Sequence, residues 1–218
     1  MRIASLALGI VLCAASVVRA QNSDDPPPPV APEVISRNAS GTRAILRATR
    51  LTTPVHVDGK LDEEVYLTVK PISGFIQMEP RAGEPATEQT DVWLLFDRDS
   101  FYVIARCWDS QPDRELADEM RRDSSRIVGN EEIAIGLDTF HDHSTGYNFE
   151  INRLGARWDG TIADDGKTIN ANWNPVWEAA TGRFDRGWVV EARIPFKSIR
   201  YLPGTSQTWG INVRRYVR

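Results

Sequence analysis

Cysteine is nearly missing from this chain of 218 residues, which has only Cys13 and Cys107. Cys13 lies in an apolar leader and Cys107 in the apolar run 101–108, so no internal disulfide is expected after export. No Cys-x-x-Cys-His motif occurs, and Met78 and Met120 are the only methionines beyond the leader. Haem therefore has neither an attachment site nor a persuasive axial ligand. Histidine is as scarce, with three in the chain. His141 and His143 flank Asp142 on a hairpin tip, while His56 is far off in sequence; zinc wants three or four ligands, so a polar loop is the better reading. A basic excess is lacking too, with 26 Lys and Arg against 30 Asp and Glu. Nucleic acid, which would call for a basic stripe, is excluded as a partner.

One long apolar run exists, residues 3–18, between Arg2 and the cleavage-like Val18-Arg19-Ala20. Its length suits a signal peptide over 1–20 better than a membrane span. Leu12 precedes Cys13 where a lipoprotein signal needs a small residue. The protein is accordingly expected to be exported: periplasmic, outer-membrane-associated or extracellular. Residues 21–43, with Asp24-Asp25-Pro26-Pro27-Pro28-Pro29, read as a stiff Pro-rich linker. The last residues, 209–218, read as a strand without a closing turn, which suggests that the chain continues in a longer protein.

Between them, residues 44–218 show short strands with turn punctuation and no repeat. Strands are expected at 91–97, 101–108, 131–140, 146–153, 156–162, 176–180, 188–194 and 209–217. Helix is scarce, with 61–69 and 112–122 as the two candidates. This pattern points to an all-β fold, an antiparallel β-sandwich of jelly-roll or immunoglobulin-like type with one or two short helices. Alternation assigns the faces: Tyr147, Phe149 and Ile151 point inward, and Asn148, Glu150 and Asn152 outward. Trp188, Val190, Ala192 and Ile194 oppose Val189, Glu191 and Arg193 in the same way. The run 101–108 is apolar on both faces except at Arg106, as befits a central strand.

What the chain does have is tryptophan, seven in all. A large indole is seldom buried completely, and one left at the surface offers a flat platform to the C–H face of a sugar ring. Trp93, Trp188 and Trp209 sit in alternating strands and read as core, while Trp108 ends a strand undecided. Trp173 and Trp177, in Asn172-Trp173-Asn174-Pro175-Val176-Trp177, are the leading platform candidates, and Trp158 beside Asp159-Gly160 is the next. Trp177 is equally well placed for the core. Asn172, Asn174, Asn148 and Glu150 could bond ring hydroxyls. Glu150 and Glu191 are the pair that glycoside hydrolysis would need, although nothing in the sequence brings them together.

Several segments resemble carbohydrate-binding modules of family 9. Val55-His56-Val57-Asp58-Gly59-Lys60-Leu61-Asp62-Glu63 is similar to the family's opening, Phe101-Tyr102-Val103 to its central strand, and Glu191-Ala192-Arg193-Ile194-Pro195 to its Glu-x-x-Ile-Pro signature. A closer likeness is to the version at the N-terminus of large exported bacterial proteins whose remainder is β-rich, in some a membrane barrel. That version resembles Arg121-Arg122-Asp123, Leu137-Asp138-Thr139-Phe140, Gly146-Tyr147-Asn148-Phe149, Trp173-Asn174-Pro175-Val176-Trp177 and Trp209-Gly210-Ile211-Asn212. The likeness covers residues 50–218. Tyr66 stands where the family usually has Trp, and Asn130-Glu131-Glu132 where Asp is common.

The resemblance implies a non-catalytic module that binds a polysaccharide or oligosaccharide and serves polysaccharide catabolism by targeting a larger protein. It also admits structural calcium, for which the turns at Asp97 and Asp99, Asp138 and Asp142, and Asp164 and Asp165 are the oxygen-rich places. The alternative is an interaction module, without sugar binding, of an outer-membrane-associated β-barrel protein.

Overall fold

The computed structural model describes residues 46–114 and 116–218. The expected signal peptide (1–20) and linker (21–43) lie outside the described residues. Two five-stranded sheets face each other. The strands are β1 (Thr49–Arg50), β2 (Thr90–Phe96), β3 (Ser100–Trp108), β4 (Glu132–Asp138), β5 (Gly146–Asn152), β6 (Arg157–Ala163), β7 (Thr168–Asn170), β8 (Glu178–Phe184), β9 (Gly187–Pro195) and β10 (Gly210–Tyr216). The first sheet runs β1-β2-β3-β9-β8 and the second β10-β4-β5-β6-β7. All pairings are antiparallel except the two-residue contact of β1 with β2. The expected antiparallel sandwich is the observed fold.

Helix is scarcer than the sequence suggests. One α-helical turn, α1 (Val65–Thr68), lies within 61–69, and among the described residues of 112–122 there is only a 3-10 turn at Pro112–Arg114. The sequence also passes over β7, three exposed residues paired with β6. Turns follow side-chain chemistry. Asp97 Oδ1 accepts the N–H groups of Asp99 and Ser100 and so closes the β2–β3 hairpin. Asp164 and Asp165 take positive φ, a conformation Asp tolerates, between β6 and β7.

The inward rows fill one core. Val103, Ala105 and Cys107 of β3 and Trp188, Val190, Ala192 and Ile194 of β9 meet Ile133, Ile135 and Leu137 of β4 and Phe149 and Ile151 of β5. Each fully buried aliphatic side chain there is worth about 1.5–3 kcal/mol. Cys107 is buried in this core. The outer face of the first sheet carries a second cluster, in which Trp93, Leu95, Tyr102 and Ile104 are roofed by Val55 and Tyr66. This explains why β3, the middle strand of its sheet, is apolar on both faces.

The opening motif and the Glu-x-x-Ile-Pro signature meet in that roof. Glu191 is fully buried and accepts bonds from Asp58 N–H, Gly59 N–H and the Tyr66 hydroxyl at 2.8–2.9 Å. Burial pushes its carboxyl up, against the pull of those donors. Gly59 has φ +83° and lies against Thr181 and Gly182, so close that a Cβ on Gly182 would sit 1.9 Å from Gly59 O. Glu191 is thus the anchor of segment 55–66.

Candidate functional site

The outer face of the second sheet is polar, and its register sorts it into rows. Arg214, Ala134, Glu150 and Trp158 are direct neighbours across β10, β4, β5 and β6. Asn212, Gly136, Asn148 and Gly160 form the next row, and Tyr216, Glu132 and Asn152 a third on the other side. Directly opposite residues share a face, so small side chains at Ala134, Gly136 and Gly160 make a floor between larger polar ones. The Trp158 ring lies over Gly160: its Cη2 is 2.8 Å from where a Cβ would stand. Gly136 is different, since a Cβ there would meet Asn212 at an ordinary 3.6 Å.

Glu132, Asn148 and Glu150 sink into this face with 1%, 5% and 8% exposure. Asn148 Nδ2 donates to Glu150 Oε1 at 2.7 Å. Asn148 Oδ1 and Glu132 Oε2 are buried without a hydrogen-bond partner in the protein. Such atoms are costly, and native structures supply them with water or a ligand. Burial, and then the nearby Glu150, push the Glu132 carboxyl up to about 8, with Arg218 and Arg214 opposing. Burial also raises Glu150, against the Asn148 bond and Arg214. The face therefore offers two carboxyl groups, an amide and a guanidinium in rows that end at an indole. A hydroxyl, both donor and acceptor, can use all of them.

The expected ligand residues separate into two groups. Trp158, Asn148 and Glu150 come together on the face just described. Asn172, Trp173, Asn174 and Trp177 lie on the crossing from β7 to β8, at the other side of the sheet. Trp177 does not take a surface platform role: it is 3% exposed, donates Nε1–H to Asp159 Oδ1 at 2.7 Å and packs on Phe149. Pro175, two residues earlier, is also buried, with exposed Val176 between them. Trp173 is half-buried, with its ring 4.8 Å from Tyr147 and 5.7 Å from Phe149, and closes the edge of the core. Asn174 is exposed and accepts from Arg122, which also bonds Asp159, while Asn172 donates its backbone N–H to Asn170. Arg122 and Asp159 thus tie the Arg-Arg-Asp motif to the Trp-Asn-Pro-Val-Trp motif as a structural joint.

Glu150 and Glu191 cannot flank one glycosidic bond, because they lie on the outward faces of opposite sheets. Packed sheets alone stand about 10 Å apart, before side chains are added, beyond the carboxyl separation of glycosidases. In the oxygen-rich turns the carboxylates are engaged by the loops they shape. Asp97 is engaged by Asp99, Ser100 and Tyr102, Asp142 by Ser144 and Thr145, and Asp164 by Thr168. The site residues that sequence reasoning passes over are Glu132, Asn212 and Gly136. Alternation within 132–138 and 210–216 carries the signal, but only the β4–β10 pairing places them beside Glu150.

A two-sheet antiparallel sandwich with a polar, tryptophan-flanked outer face defines a binding module. The chain matches the family described as Carbohydrate family 9 binding domain-like over residues 57–216, and it belongs to that family of non-catalytic carbohydrate-binding domains. Endo-1,4-beta-xylanase A of Thermoanaerobacterium saccharolyticum is 27% identical over 172 residues, 79% of this chain and 13% of that protein. The chain thus spans a small part of that relative's length. Among solved structures, a carbohydrate binding module family 9 from Caldicellulosiruptor kristjanssonii in complex with glucose superposes with TM-score 0.52 at 18% identity, over 76% of this chain and 77% of that one. A carbohydrate binding module family 9 from the same organism in complex with cellotriose gives 0.51 at 16% identity, over 77% of this chain and 79% of that one. At these identities the likeness establishes the fold.

Proposed function

We propose that the carbohydrate is held on the outer face of the second sheet, with one pyranose of an oligosaccharide stacked on Trp158 and the hydroxyls along the chain bonded by Asn148, Glu150, Glu132 and Arg214. The observation that carries this reading is the pair of buried, unpartnered oxygens, Asn148 Oδ1 and Glu132 Oε2, beside an indole and a floor of small residues. Sugar hydroxyls satisfy such atoms, and the indole face suits the C–H side of the ring. The glucose and cellotriose complexes of the similar modules support gluco-configured oligosaccharides as the first class to try. On this account the module serves an exported protein by keeping it near a polysaccharide.

A glycan array followed by calorimetric titration tests the proposal. Trp158→Ala should weaken binding while Trp173→Ala, a core-edge change, leaves a folded variant that still binds. Gly136→Leu should block the face, since the floor accepts a Cβ and the added side chain would stand in the sugar's place. Absence of glycan binding by the folded wild-type protein would overturn it.

A further inference from the structure

The tip of the β4–β5 hairpin gathers Asp138, His141 and His143, whose donor atoms all lie within 4.8 Å of one another. Sequence spacing suggests only two ligands here, with His56 too remote to be a third. The missing donor is the strand residue Asp138. Positive φ at both histidines, 54° and 59°, curls the loop back over the end of β4. Asp138 Oδ1 accepts Asp142 N–H and Oδ2 accepts His143 N–H, so the carboxylate stands within the loop it shapes.

The spacing is more telling than the proximity. His143 Nδ1 and Asp138 Oδ2 are 3.6 Å apart. That is long for a hydrogen bond, yet two ligands of a tetrahedral ion with bonds of about 2.0–2.1 Å are separated by roughly 3.3 Å. The His141 ring is 4.7 Å from the His143 ring, and both are exposed. Asp142 is not in the donor set: Ser144 N–H, Thr145 N–H and the Thr145 hydroxyl occupy its carboxylate and hold the loop.

We propose that Asp138, His141 and His143 form a site for a zinc-class divalent ion, with its remaining position open to water or another oxygen donor. Two imidazole nitrogens and one carboxylate suit zinc and its transition-metal neighbours, whereas calcium takes oxygen. The ion would clamp the hairpin tip. This site is separate from the sugar reading and stands or falls without it.

The test uses the tag-free full chain, stripped with chelator and titrated with zinc chloride by calorimetry, with melting curves to establish folding. The expected result is one ion per chain in the micromolar range. His141→Ala and His143→Ala should each weaken it at least tenfold and leave the metal-free melting temperature unchanged. His56→Ala should bind as wild type. Asp138→Asn, which keeps an acceptor for the loop, should also weaken zinc binding. No zinc binding by the folded wild type, affinity unchanged in both His141 and His143 variants, or calcium bound as tightly as zinc would each overturn the proposal.

Discussion

A tryptophan's role in this protein is decided by what its N–H meets and which row it occupies. Trp177, Trp188 and Trp93 donate to Asp159, Glu131 and the Val69 carbonyl, respectively, and are buried. Trp158 sits in an outer row. Replacing Trp177 by Ala is therefore expected to cost about 3–5 kcal/mol of stability, read from denaturant unfolding. Trp158→Ala should instead leave stability nearly unchanged and cost about 2 kcal/mol of glycan binding, roughly thirtyfold in Kd. Sequence could list these indoles but not sort them. The face of residue 177 depends on where the strand begins, and buried Pro175 delays β8 to Glu178.

Glu132 makes a second prediction at this scale. Its carboxyl is held up to about 8 by burial and by Glu150, with Arg214 and Arg218 opposing. A carboxyl with a higher pKa folded than unfolded binds more protons in the folded chain. Its stabilising contribution is present below the ordinary carboxylate range and is lost as pH climbs from there toward 8. Glu132→Gln removes that loss. Its melting temperature should exceed that of wild type by several degrees near pH 8.5 and match it near pH 4. Equal melting temperatures at both pH values would refute this assignment.

Among the elements, the rows of β5 and β9 were legible from alternation alone, because a strict period of two separates an apolar inner row from one that carries the polar residues. Pairing across the sheet was not legible. Nothing local in 210–216 says that it lies beside β4, yet that register puts Arg214 in the row of Glu150. The joint between the opening motif and β9 is likewise long-range: Asp58 and Gly59 reach Glu191, more than 130 residues away. Gly59 and Gly182 pack backbone against backbone there. Gly182→Ala should cost about 2–3 kcal/mol by overpacking, measured by urea unfolding, because no side-chain rotation can relieve a Cβ against Gly59 O.

For the molecule as a whole, β10 closes the second sheet and is pinned through the interior. Arg215, 6% exposed at its side chain, pairs with fully buried Glu131 and also faces Asp109. Its guanidinium donates to the Trp108 carbonyl, so one side chain joins both sheets. Arg215→Ala should destabilise the protein by about 3–5 kcal/mol, because it strands a buried carboxylate; thermal or urea melts will show it. Composition and turn spacing announced the sandwich. This charged interior joint could not be read beforehand, since a buried arginine looks like any exposed one in sequence.

The measurement that bears most directly on the central claim is calorimetric titration of wild type, Trp158→Ala and Trp173→Ala with the oligosaccharide that a glycan array selects. The account predicts wild-type binding that persists in Trp173→Ala and falls roughly thirtyfold in Trp158→Ala, with all three proteins folded. Binding lost in Trp173→Ala and intact in Trp158→Ala would move the site to the β7–β8 crossing and contradict the assignment to the outer face.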